Sequence, residues 1–367
     1  EGQPAAGLIR SDDARRGSDL ASPMGVIFGL IPLTNPVSTF VFKVLISLKG
    51  RNSIILSCHR DAQSVGNRTG EIIESVLKKY DAPANLVQWV KGRGSRKKTM
   101  MFMKHPDIAL ILATGGPSMV KAAYSSGTPA IGVGAGNAPV WITADADLQA
   151  AAQMVVSSKS FDNGVLCGSE NNLVVDASVL QEFTQALEAS GAKVLTSDEK
   201  HRFMVKAFDA ETHTIQRDLI GKSAMVIAQK ADIKPKGEIK LIVIPAALDE
   251  LSTPLAHEKL APMLSLFVVK GEAEGFALCK KIIGAEGSGH TANIHTRDEK
   301  LAARYALEMP ASRVLVNTPG SQGCAGICTG LTPSLTLGCG TYGGNSTTDN
   351  VTFTHLLNIK RMALSLS

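Results

Sequence analysis

The sequence predicts an α/β protein built from two domains. Short apolar runs alternate with helical patterns along most of the chain, as in a parallel sheet covered by helices. Some runs are apolar at every position, which is typical of strands buried on both faces of a sheet. The 367 residues are enough for two domains with sizeable cores. We expect a hairpin at 1–22, a first domain at 23–159, a second domain at 160–335, and a return to the first domain at 336–367.

The first domain is predicted to alternate strands and helices. Residues 7–22 are expected to form two extended pieces around the charged turn 12–17. Apolar runs and helical spacing then predict strands at 25–31, 53–56, 86–90 and 108–112, and helices at 38–48, 71–80 and 119–124. In the helix 38–48, helical spacing places Phe42, Leu45 and Ile46 on one face. In the helix 71–80, it does the same for Ile72, Ile73, Val76, Leu77 and Tyr80.

The second half of the chain alternates in the same way. Asp147 is expected to cap a helix at 148–157. Further on, a helix is predicted at 179–187 and strands at 140–142, 173–175, 192–195, 241–244, 265–269 and 314–317. Residues 284–296, which contain His290, are expected to form a flexible loop. The second domain is therefore predicted to be another α/β unit.

Charge and hydropathy set limits on the partners. The net charge of +5 is small for this length, and no basic run carries interleaved aromatic residues, so nucleic-acid binding is not predicted. A mildly positive surface suits anionic ligands. The basic segment Lys91–Lys98 either steers phosphates or forms an ordinary charged face in solvent, and the sequence leaves both open. No run of 18 apolar residues occurs, so no membrane span is predicted.

The six cysteines are scattered along the chain, with neither zinc-like spacing nor the pattern of a disulfide framework. Cys324 and Cys328 are interpreted as reduced thiols in a glycine-rich turn, although their spacing also fits a metal or redox pair. We therefore predict no metal site, and a reducing, cytoplasmic environment.

One cysteine stands apart because of its neighbours. Cys167 lies in a glycine-containing segment, 160–170, just ahead of the apolar strand 173–175. A reactive thiol needs an exposed, electropositive turn that lowers its pKa, whereas a lone cysteine is more often a small buried apolar residue. Cys167 is thus a candidate nucleophile.

The segment around Cys167 resembles the nucleophile segment of CoA-acylating aldehyde dehydrogenases. This branch includes acetaldehyde and propionaldehyde dehydrogenases and the aldehyde dehydrogenase half of bifunctional aldehyde–alcohol dehydrogenases. Five segments resemble it in the same order: 32–36, 114–137, 161–170, 258–262 and 337–345. The resemblance implies an aldehyde dehydrogenase fold with a Rossmann-like cofactor domain, a catalytic domain, and an oligomerisation element formed by the hairpin and a final strand at 356–361.

The resemblance also implies roles for individual residues. Cys167 would attack the aldehyde, and the Asn35 amide with the Cys167 backbone N–H would stabilise the oxyanion. Asn35 precedes Pro36, which favours an extended backbone, but a plain turn residue fits as well. His290 would accept a thiol proton from coenzyme A, unless it is an ordinary exposed histidine. The residues expected to bind NAD or NADP are Thr34, Ser57, Thr114, Gly115, Gly116, Gly134 and Glu258, the last holding the nicotinamide ribose.

A missing carboxylate points to coenzyme A as the second substrate. Hydrolytic relatives place a glutamate base in the region that matches 134–137, and this chain has Gly-Ala-Gly-Asn there. Because hydrolysis needs a base that activates water, the acyl group should leave on the thiol of coenzyme A. The alternatives are a hydrolytic aldehyde dehydrogenase and an inactive structural relative.

The sequence leaves several properties open. The aldehyde could be acetaldehyde, propionaldehyde, succinate semialdehyde or sulfoacetaldehyde. Arg60, after the strand 53–56, either meets the 2′-phosphate of NADP or lies in solvent, so the choice of cofactor is undecided. The resemblance implies a homodimer or larger homo-oligomer, a location in the cytoplasm or in a bacterial microcompartment, further helical sequence before residue 1, and no alcohol dehydrogenase domain within this chain.

Overall fold

The protein divides into two compact units. The computed structural model describes residues 2–14, 16–92, 94–209, 212 and 214–366. Unit 1 comprises 1–134, 333–338 and 345–367, and unit 2 comprises 135–332 and 339–344. The predicted hairpin turn and basic segment include Arg15 and Arg93, which lie outside the described residues.

Unit 1 begins with an antiparallel hairpin and continues into a parallel sheet. Its strands are β1 (Gly7–Asp12), β2 (Gly17–Pro23), β3 (Val26–Ile31), β4 (Ser53–Cys58), β5 (Val87–Trp89), β6 (Ile108–Thr114) and β7 (Ala130–Val133). Its helices are α1 (Pro36–Lys49), α2 (Gln63–Lys79), α3 (Arg96–Met103) and α4 (Pro117–Tyr124). The parallel strands follow the order β5-β4-β3-β6-β7. Alternate residues of β3 enter two cores, which explains why the strand is apolar throughout.

Helices α1 and α2 bury only part of the faces that apolar spacing indicated. Ile46 is buried, and Phe42, Ile73 and Leu77 are half-buried against the same core. Leu45 of α1 is 62% exposed, and Ile72, Val76 and Tyr80 are also exposed.

Helix α1 also buries polar residues, among them Lys43, whose Nζ donates to the carbonyls of Leu30 and Leu112 at 2.6 and 2.7 Å. These bonds tie α1 to two strands.

Helix α2 is longer than predicted because its first turns carry no apolar pattern. It buries Gly66, Thr69 and Gly70, and a Cβ on Gly70 would lie 2.5 Å from the Trp89 ring. Small residues therefore set its packing against β5. Helix α3 begins at Arg96, inside the basic segment Lys91–Lys98, where the sequence predicts no helix.

Unit 2 contains a second, larger parallel sheet. Its strands are β8 (Ala138–Ile142), β9 (Glu170–Asp176), β10 (Ala192–Val194), β11 (Leu241–Pro245), β12 (Met263–Val269), β13 (Gly289–His295) and β14 (Ala311–Val316). Its helices are α5 (Leu148–Ser160), α6 (Leu180–Ala189), α7 (Ser197–Ala207), α8 (Ala224–Lys230), α9 (Gly271–Ala285), α10 (Glu299–Glu308) and α11 (Gly320–Cys324). The strand order is β10-β11-β12-β9-β8-β13-β14.

The boundary between the units differs from the one expected after residue 159. Strand β8 pairs with both β9 and β13, and α5 packs in the same core, so residues 135–159 belong to unit 2. Residues 289–295 are also not the expected flexible loop, because they form the buried strand β13. Asp147 does cap α5, accepting a hydrogen bond from the Ala150 N–H at 3.1 Å.

The last strand, β15 (Leu357–Ala363), pairs antiparallel with β2 and completes a three-stranded sheet in the order β1-β2-β15. The final strand predicted for assembly thus joins the hairpin of its own chain. Across the described residues, no helix combines the length and apolar composition that crossing a membrane requires.

Candidate active site

The loop that carries Cys167 lies between α5 and β9. It starts with a short 3-10 helix, Phe161–Gly164, in which Asp162 and Asn163 have positive φ angles of 48° and 49°. Asp and Asn tolerate this left-handed conformation better than most residues. The Asn163 amide donates to the Gly221 carbonyl at 2.9 Å and holds the turn. Cys167 emerges half-buried at the end of this loop.

The four residues of the unit 2 site lie just before, or at the start of, parallel strands. Cys167 precedes β9, Gly136 precedes β8, Glu258 lies ahead of β12, and His290 is the second residue of β13. Since β8, β9, β12 and β13 are parallel neighbours or next neighbours, their amino ends meet at one edge of the sheet. The topology therefore brings these four residues to the same edge.

His290 contacts the sulfur of Cys167 directly. Its Nε2 lies 3.2 Å from Cys167 Sγ, and its Nδ1 lies 2.9 Å from the Thr291 hydroxyl. Burial, and then the Arg313 cation, lower the pKa of His290 to about 3. The ring is therefore neutral at pH 7, and with Nδ1–H donating to Thr291, Nε2 can accept the proton of the thiol.

The surroundings of Cys167 are not the electropositive turn that a low thiol pKa requires. Burial, followed by the nearby Cys324, Glu258 and Cys339, raises the pKa of Cys167 well above its ordinary value, and Arg313 opposes this only in part. The resting pair is therefore a neutral thiol beside a neutral imidazole. Attack by this thiol would therefore need proton transfer to His290, since little thiolate is present beforehand.

Gly136 packs against the backbone of the nucleophile. A Cβ at Gly136 would lie 1.7 Å from the Cys167 carbonyl oxygen, so only glycine fits without a backbone shift. The neighbouring Asn137 side chain turns away from the sulfur: its amide donates to the Ala256 carbonyl at 2.7 Å, and its oxygen accepts from Asn172 at 2.8 Å. The loop 134–137 thus supports Cys167 and offers it no carboxylate.

Gly136 and Gly134 provide a matched pair of substitutions. We expect Gly136→Ala to lower the free energy of unfolding by at least ~2 kcal/mol, because the new methyl group meets backbone. A Cβ at Gly134 meets nothing within 4 Å, so Gly134→Ala should change stability by less than ~1 kcal/mol. Urea denaturation measures both. Equal stability of the two variants would contradict the close packing at Gly136.

The carboxylate that does lie near the sulfur is that of Glu258. Its Oε1 accepts a hydrogen bond from the Gly136 N–H at 3.1 Å, and its own N–H donates to Glu286 Oε2 at 2.8 Å. Burial, and then repulsion from Glu286, raise the pKa of Glu258 to about 8. A carboxyl group that is largely protonated at neutral pH is a poor base for activating water. It retains oxygen atoms that can accept hydrogen bonds from hydroxyl groups.

Two buried lysines, Lys159 and Lys259, hold the backbone and polar side chains next to the Cys167 loop, and no sequence pattern indicated that they are buried. Lys159 Nζ donates to Ser169 Oγ, Asn171 Oδ1 and the Lys259 carbonyl. Lys259 Nζ donates to the carbonyls of Asn171 and His257. Burial lowers the pKa of Lys159 to about 8 and that of Lys259 well below its ordinary value. These bonds satisfy the polar groups behind the nucleophile loop.

Sequence reasoning also missed Arg313. Its Nη2 donates to the His290 carbonyl at 3.0 Å, and only 3% of the residue is exposed. Its position inside the apolar strand 311–316 was an available signal, since a fully buried arginine is rare. Arg313 fixes the backbone of His290 and supplies a positive charge close to the thiol.

Burial of neutral His290 makes the stability of the protein depend on pH. Between pH 6.5 and about 3 the unfolded chain binds a proton at this histidine and the folded chain does not, so stability falls as pH falls through that window. From pH 7.5 to 5.0 the loss should be ~2 kcal/mol from His290 alone. Urea denaturation of wild type and His290→Asn at both pH values should show a smaller loss in the variant. Equal losses would mean that His290 is charged in the folded protein.

All the predicted cofactor residues except Glu258 belong to unit 1, where they lie at one edge of the five-stranded sheet. Thr34 follows β3, Ser57 is the next-to-last residue of β4, Thr114 ends β6 and is followed by Gly115 and Gly116, and Gly134 follows β7. These strands are parallel neighbours, so their carboxyl ends point the same way. Ligands of open parallel sheets bind at this edge.

Two observations at this edge fit a bound dinucleotide. The Thr114 hydroxyl is buried and has no hydrogen-bond partner among the described residues. Helix α4 begins directly after Gly116 without a side-chain cap, which leaves its first N–H groups available to a phosphate. The residues present therefore suit the cofactor that the sequence predicted.

Asn35 lies at the same edge and begins α1. Its Oδ1 accepts hydrogen bonds from Thr34 Oγ1 at 3.2 Å and from Thr39 Oγ1 at 3.1 Å. Within the described part of the chain its amide NH₂ donates to no other residue, and neither does the Cys167 backbone N–H. Both groups therefore remain available as oxyanion donors, and these roles stay predictions.

All six cysteines, including Cys324 and Cys328, are free thiols. Cys324 is buried, and its sulfur packs against Gly168, where a Cβ would lie 2.0 Å away; Cys328 is exposed. No group of metal-ligating side chains that could hold an ion occurs among the described residues.

The two units define an α/β protein: unit 1 has glycine turns at its strand ends, and unit 2 holds a cysteine–histidine pair at one edge of its sheet. The chain belongs to the aldehyde dehydrogenase family, whose family model matches residues 6–352. This match confirms the family and the fold that the sequence predicted.

Individual relatives resemble almost the whole chain. Aldehyde-alcohol dehydrogenase 2 of Entamoeba histolytica is 39% identical over 365 residues, which cover 97% of this chain and 42% of that protein. The bifunctional aldehyde-alcohol dehydrogenase of Escherichia coli strain K12 is 40% identical over 366 residues, which cover 98% of this chain and 41% of that protein. The crystal structure of an acetylating aldehyde dehydrogenase from Geobacillus thermoglucosidasius has a TM-score of 0.95 at 39% identity, covering 100% of this chain and 80% of that one. The chain thus spans about two fifths of the length of the two curated relatives.

Proposed function

We propose that this protein oxidises a small aldehyde with NAD(P)⁺ and transfers the resulting acyl group to coenzyme A. The observation that carries the proposal is the 3.2 Å contact between Cys167 Sγ and His290 Nε2. It pairs a nucleophile with a neutral base in a site where loop 134–137 presents no carboxylate for activating water. The similarity to an acetylating aldehyde dehydrogenase over the full length of this chain supports the same reaction.

The first step forms a carbon–sulfur bond. His290 Nε2 takes the thiol proton while Cys167 Sγ attacks the carbonyl carbon of the aldehyde. Negative charge moves to the aldehyde oxygen, where the Asn35 amide and the Cys167 N–H would donate hydrogen bonds. In comparable sites one such donor stabilises the transition state by ~3 kcal/mol.

Oxidation then converts the adduct into a thioester. When bound, NAD(P)⁺ supplies the acceptor for the hydride that the former aldehyde carbon loses. The residues that would hold it are Thr34, Ser57, Thr114, Gly115, Gly116 and Gly134 of unit 1, with Glu258 accepting hydrogen bonds from the nicotinamide ribose. The acyl group is then bound to Cys167 as a thioester.

Transfer to coenzyme A regenerates the free thiol. His290 first releases to solvent the proton that it took from Cys167. The thiol of coenzyme A then attacks the thioester carbonyl and gives its proton to His290, which passes it to Cys167 as the sulfur leaves. Water should compete poorly, because it is a weaker acid than a thiol, loop 134–137 carries no carboxylate, and Glu258 is largely protonated at neutral pH. Acyl-CoA is therefore the expected product, with little free acid.

Leaving out coenzyme A tests this function. With aldehyde and NAD(P)⁺ alone, NAD(P)H should form as a burst of about one equivalent per Cys167 and then stop, because the thioester has no acceptor. Adding coenzyme A should restore steady turnover. Absorbance of NAD(P)H together with acyl-CoA quantification measures both phases.

Continued NAD(P)H formation with accumulation of free acid, in the absence of coenzyme A, would favour a hydrolytic aldehyde dehydrogenase. No burst with any of acetaldehyde, propionaldehyde, succinate semialdehyde and sulfoacetaldehyde, together with no NAD(P) binding, would favour an inactive relative. The same four aldehydes serve as a substrate panel, since the site chemistry alone does not choose among them.

Assembly into a homodimer or larger homo-oligomer stays a prediction, and the sheet β1-β2-β15 is the element proposed for it. Light scattering of the purified chain measures the mass, and a monomer at micromolar concentration would contradict it. The cytoplasm, or a bacterial microcompartment within it, is the proposed location.

A further inference from the structure

Glu170 is a buried carboxylate near the nucleophile that the proposed reaction does not use. It is the first residue of β9, it follows Cys167 closely in the chain, and its relative exposure is 0%. The Ser158 hydroxyl donates to its Oε2 at 2.5 Å, and the Gly320 N–H donates to its Oε1 at 2.7 Å. A buried carboxylate needs such donors. Each oxygen of Glu170 therefore connects β9 to a different helix, α5 through Ser158 and α11 through Gly320.

Two serines add further bonds between the same helices. The Ser321 N–H donates to Ser158 Oγ at 2.8 Å, and the Ser321 hydroxyl donates to the Ser158 carbonyl at 3.1 Å. Both serines are completely buried, as Glu170 is. A Cβ at Gly320 would lie 2.8 Å from Glu170 Oε1, so the start of α11 approaches the carboxylate as closely as a glycine allows. These contacts fix the position of α11 against α5 and β9.

Helix α11 reaches the nucleophile loop through Cys324. This residue ends α11, and a Cβ at Gly168 would lie only 2.0 Å from its sulfur. Gly168 directly follows Cys167 in the chain. The Cys324 thiol also donates to the Ser321 carbonyl at 3.3 Å, which orients the sulfur within the helix. A displacement of α11 would therefore move the surface against which the neighbour of Cys167 packs.

The acceptor for the Gly320 N–H distinguishes three side chains of similar length at position 170. Glutamate can accept with either oxygen. Glutamine keeps one oxygen for the Gly320 N–H, and its NH₂ group can donate to Ser158 Oγ. Methionine has only a weak sulfur acceptor, so it would leave that N–H buried without a good partner. Burial raises the pKa of Glu170, but one oxygen can accept from Gly320 whether or not the carboxyl group is ionised. The position of α11 therefore depends on the acceptor more than on the charge.

We propose that Glu170 is a positioning residue for the nucleophile. By accepting the hydrogen bond of Gly320 it holds α11 in place, and α11 in turn supports Gly168, so that Cys167 Sγ stays within reach of His290 Nε2. Glu170 acts through these contacts and takes no proton in the reaction. The inference rests on the proposed function for its kinetic readout, whereas the reactivity of the Cys167 thiol reports the same geometry without that function.

The burst of NAD(P)H that forms without coenzyme A separates positioning from folding. Its amplitude counts the sites that can react, and its rate constant measures the reaction at each site. In Glu170→Met we expect the amplitude to be retained and the rate constant to fall about 10- to 100-fold, the loss that a displacement of about 1 Å can cause. Glu170→Gln should stay within about fivefold of wild type, because its oxygen still accepts from Gly320. Glu182→Met on α6 is the matched control, since Glu182 is exposed, and should stay within about twofold.

Alkylation by iodoacetamide, followed at Cys167 by peptide mass spectrometry, gives a readout that needs no catalysis. Glu170→Met should react about 10-fold more slowly than wild type at pH 7, because Cys167 loses the help of His290 as its base. A loop that is merely loosened would expose the thiol and react faster. If Glu170→Met does not fold, Ser158→Ala takes its place: it removes a donor to Glu170 and the acceptor of Ser321, and should slow both reactions in the same way.

The two readouts decide the role of Glu170. A burst rate constant and an alkylation rate within about twofold of wild type in Glu170→Met overturn the proposal. A smaller amplitude at an unchanged rate constant, or faster alkylation, also overturns it, because Glu170 then serves only the stability of the fold. Equal losses in Glu170→Gln and Glu170→Met exclude the route through the Gly320 acceptor. If wild type itself forms no burst with any of the four aldehydes, the proposed function fails and the alkylation series alone decides.

Discussion

The Cys167→Ser variant is expected to lose at least about 10⁴-fold in kcat for aldehyde oxidation. The loss is expected because the proposed reaction depends on a covalent thioester, and a serine hydroxyl is a far weaker nucleophile and a poorer leaving group than the thiol. Steady-state formation of NAD(P)H in the presence of coenzyme A measures it, and circular dichroism shows whether the variant is folded.

Cys328→Ser is the matched control, because Cys328 is exposed and lies outside the contacts of Cys167. It should retain activity within about twofold of wild type, as expected of a surface substitution. Retention of more than about 1% of wild-type activity by folded Cys167→Ser would remove Cys167 from the nucleophile role.

Replacing His290 by alanine should lower kcat by about 10²- to 10⁴-fold, the usual contribution of a general base. The structure requires this base because the pKa of Cys167 is raised, so the thiol is not ionised before it attacks. Alkylation of Cys167 by iodoacetamide gives a second readout: the variant should react more slowly at pH 7 and recover as the pH rises.

His201→Ala is the control for the histidine, since His201 lies exposed on α7. Its activity should stay within about twofold of wild type. If His290→Ala lowers kcat by less than about threefold and leaves the alkylation profile unchanged, the 3.2 Å contact has no part in the proton transfer.

The sequence predicted the features that depend on local chemistry. Asp147 as a cap, the strand that leads to Asn35 and Pro36, and the strand that follows Cys167 are each encoded within a few residues. The glycine turn after β6 likewise indicated a phosphate-binding helix start. Such signals need no knowledge of which segments become neighbours.

Features that depend on distant neighbours could not be predicted from the sequence. Strand β13 carries His290, Thr291 and Asn293, so it lacks the apolar pattern of a buried strand, yet it lies inside the seven-stranded sheet. His290 contacts Thr291 and Cys167, whereas the Asn293 amide is buried without a hydrogen-bond partner among the described residues. The direct contact of His290 with Cys167 joins residues 123 positions apart, and spacing along the chain gives no measure of it.

The start of unit 2 at residue 135, well before the predicted boundary at 159, also depends on distant neighbours. Gly134 and Gly136 lie between β7 and β8, and nothing in that run shows that β8 belongs to the other sheet. Likewise, no sequence pattern marks Lys43 of α1 as buried, and its bonds to two strand carbonyls explain why it is. Long-range hydrogen bonds decided both cases.

The lifetime of the acyl group on Cys167 tests the central claim most directly. The enzyme is incubated with aldehyde and NAD(P)⁺, freed of small molecules, and followed by intact-protein mass spectrometry with and without coenzyme A. The account predicts an acyl adduct on Cys167 that persists in buffer and disappears at once with coenzyme A, forming acyl-CoA. Rapid loss of the adduct to water, at a rate that coenzyme A does not change, would contradict it.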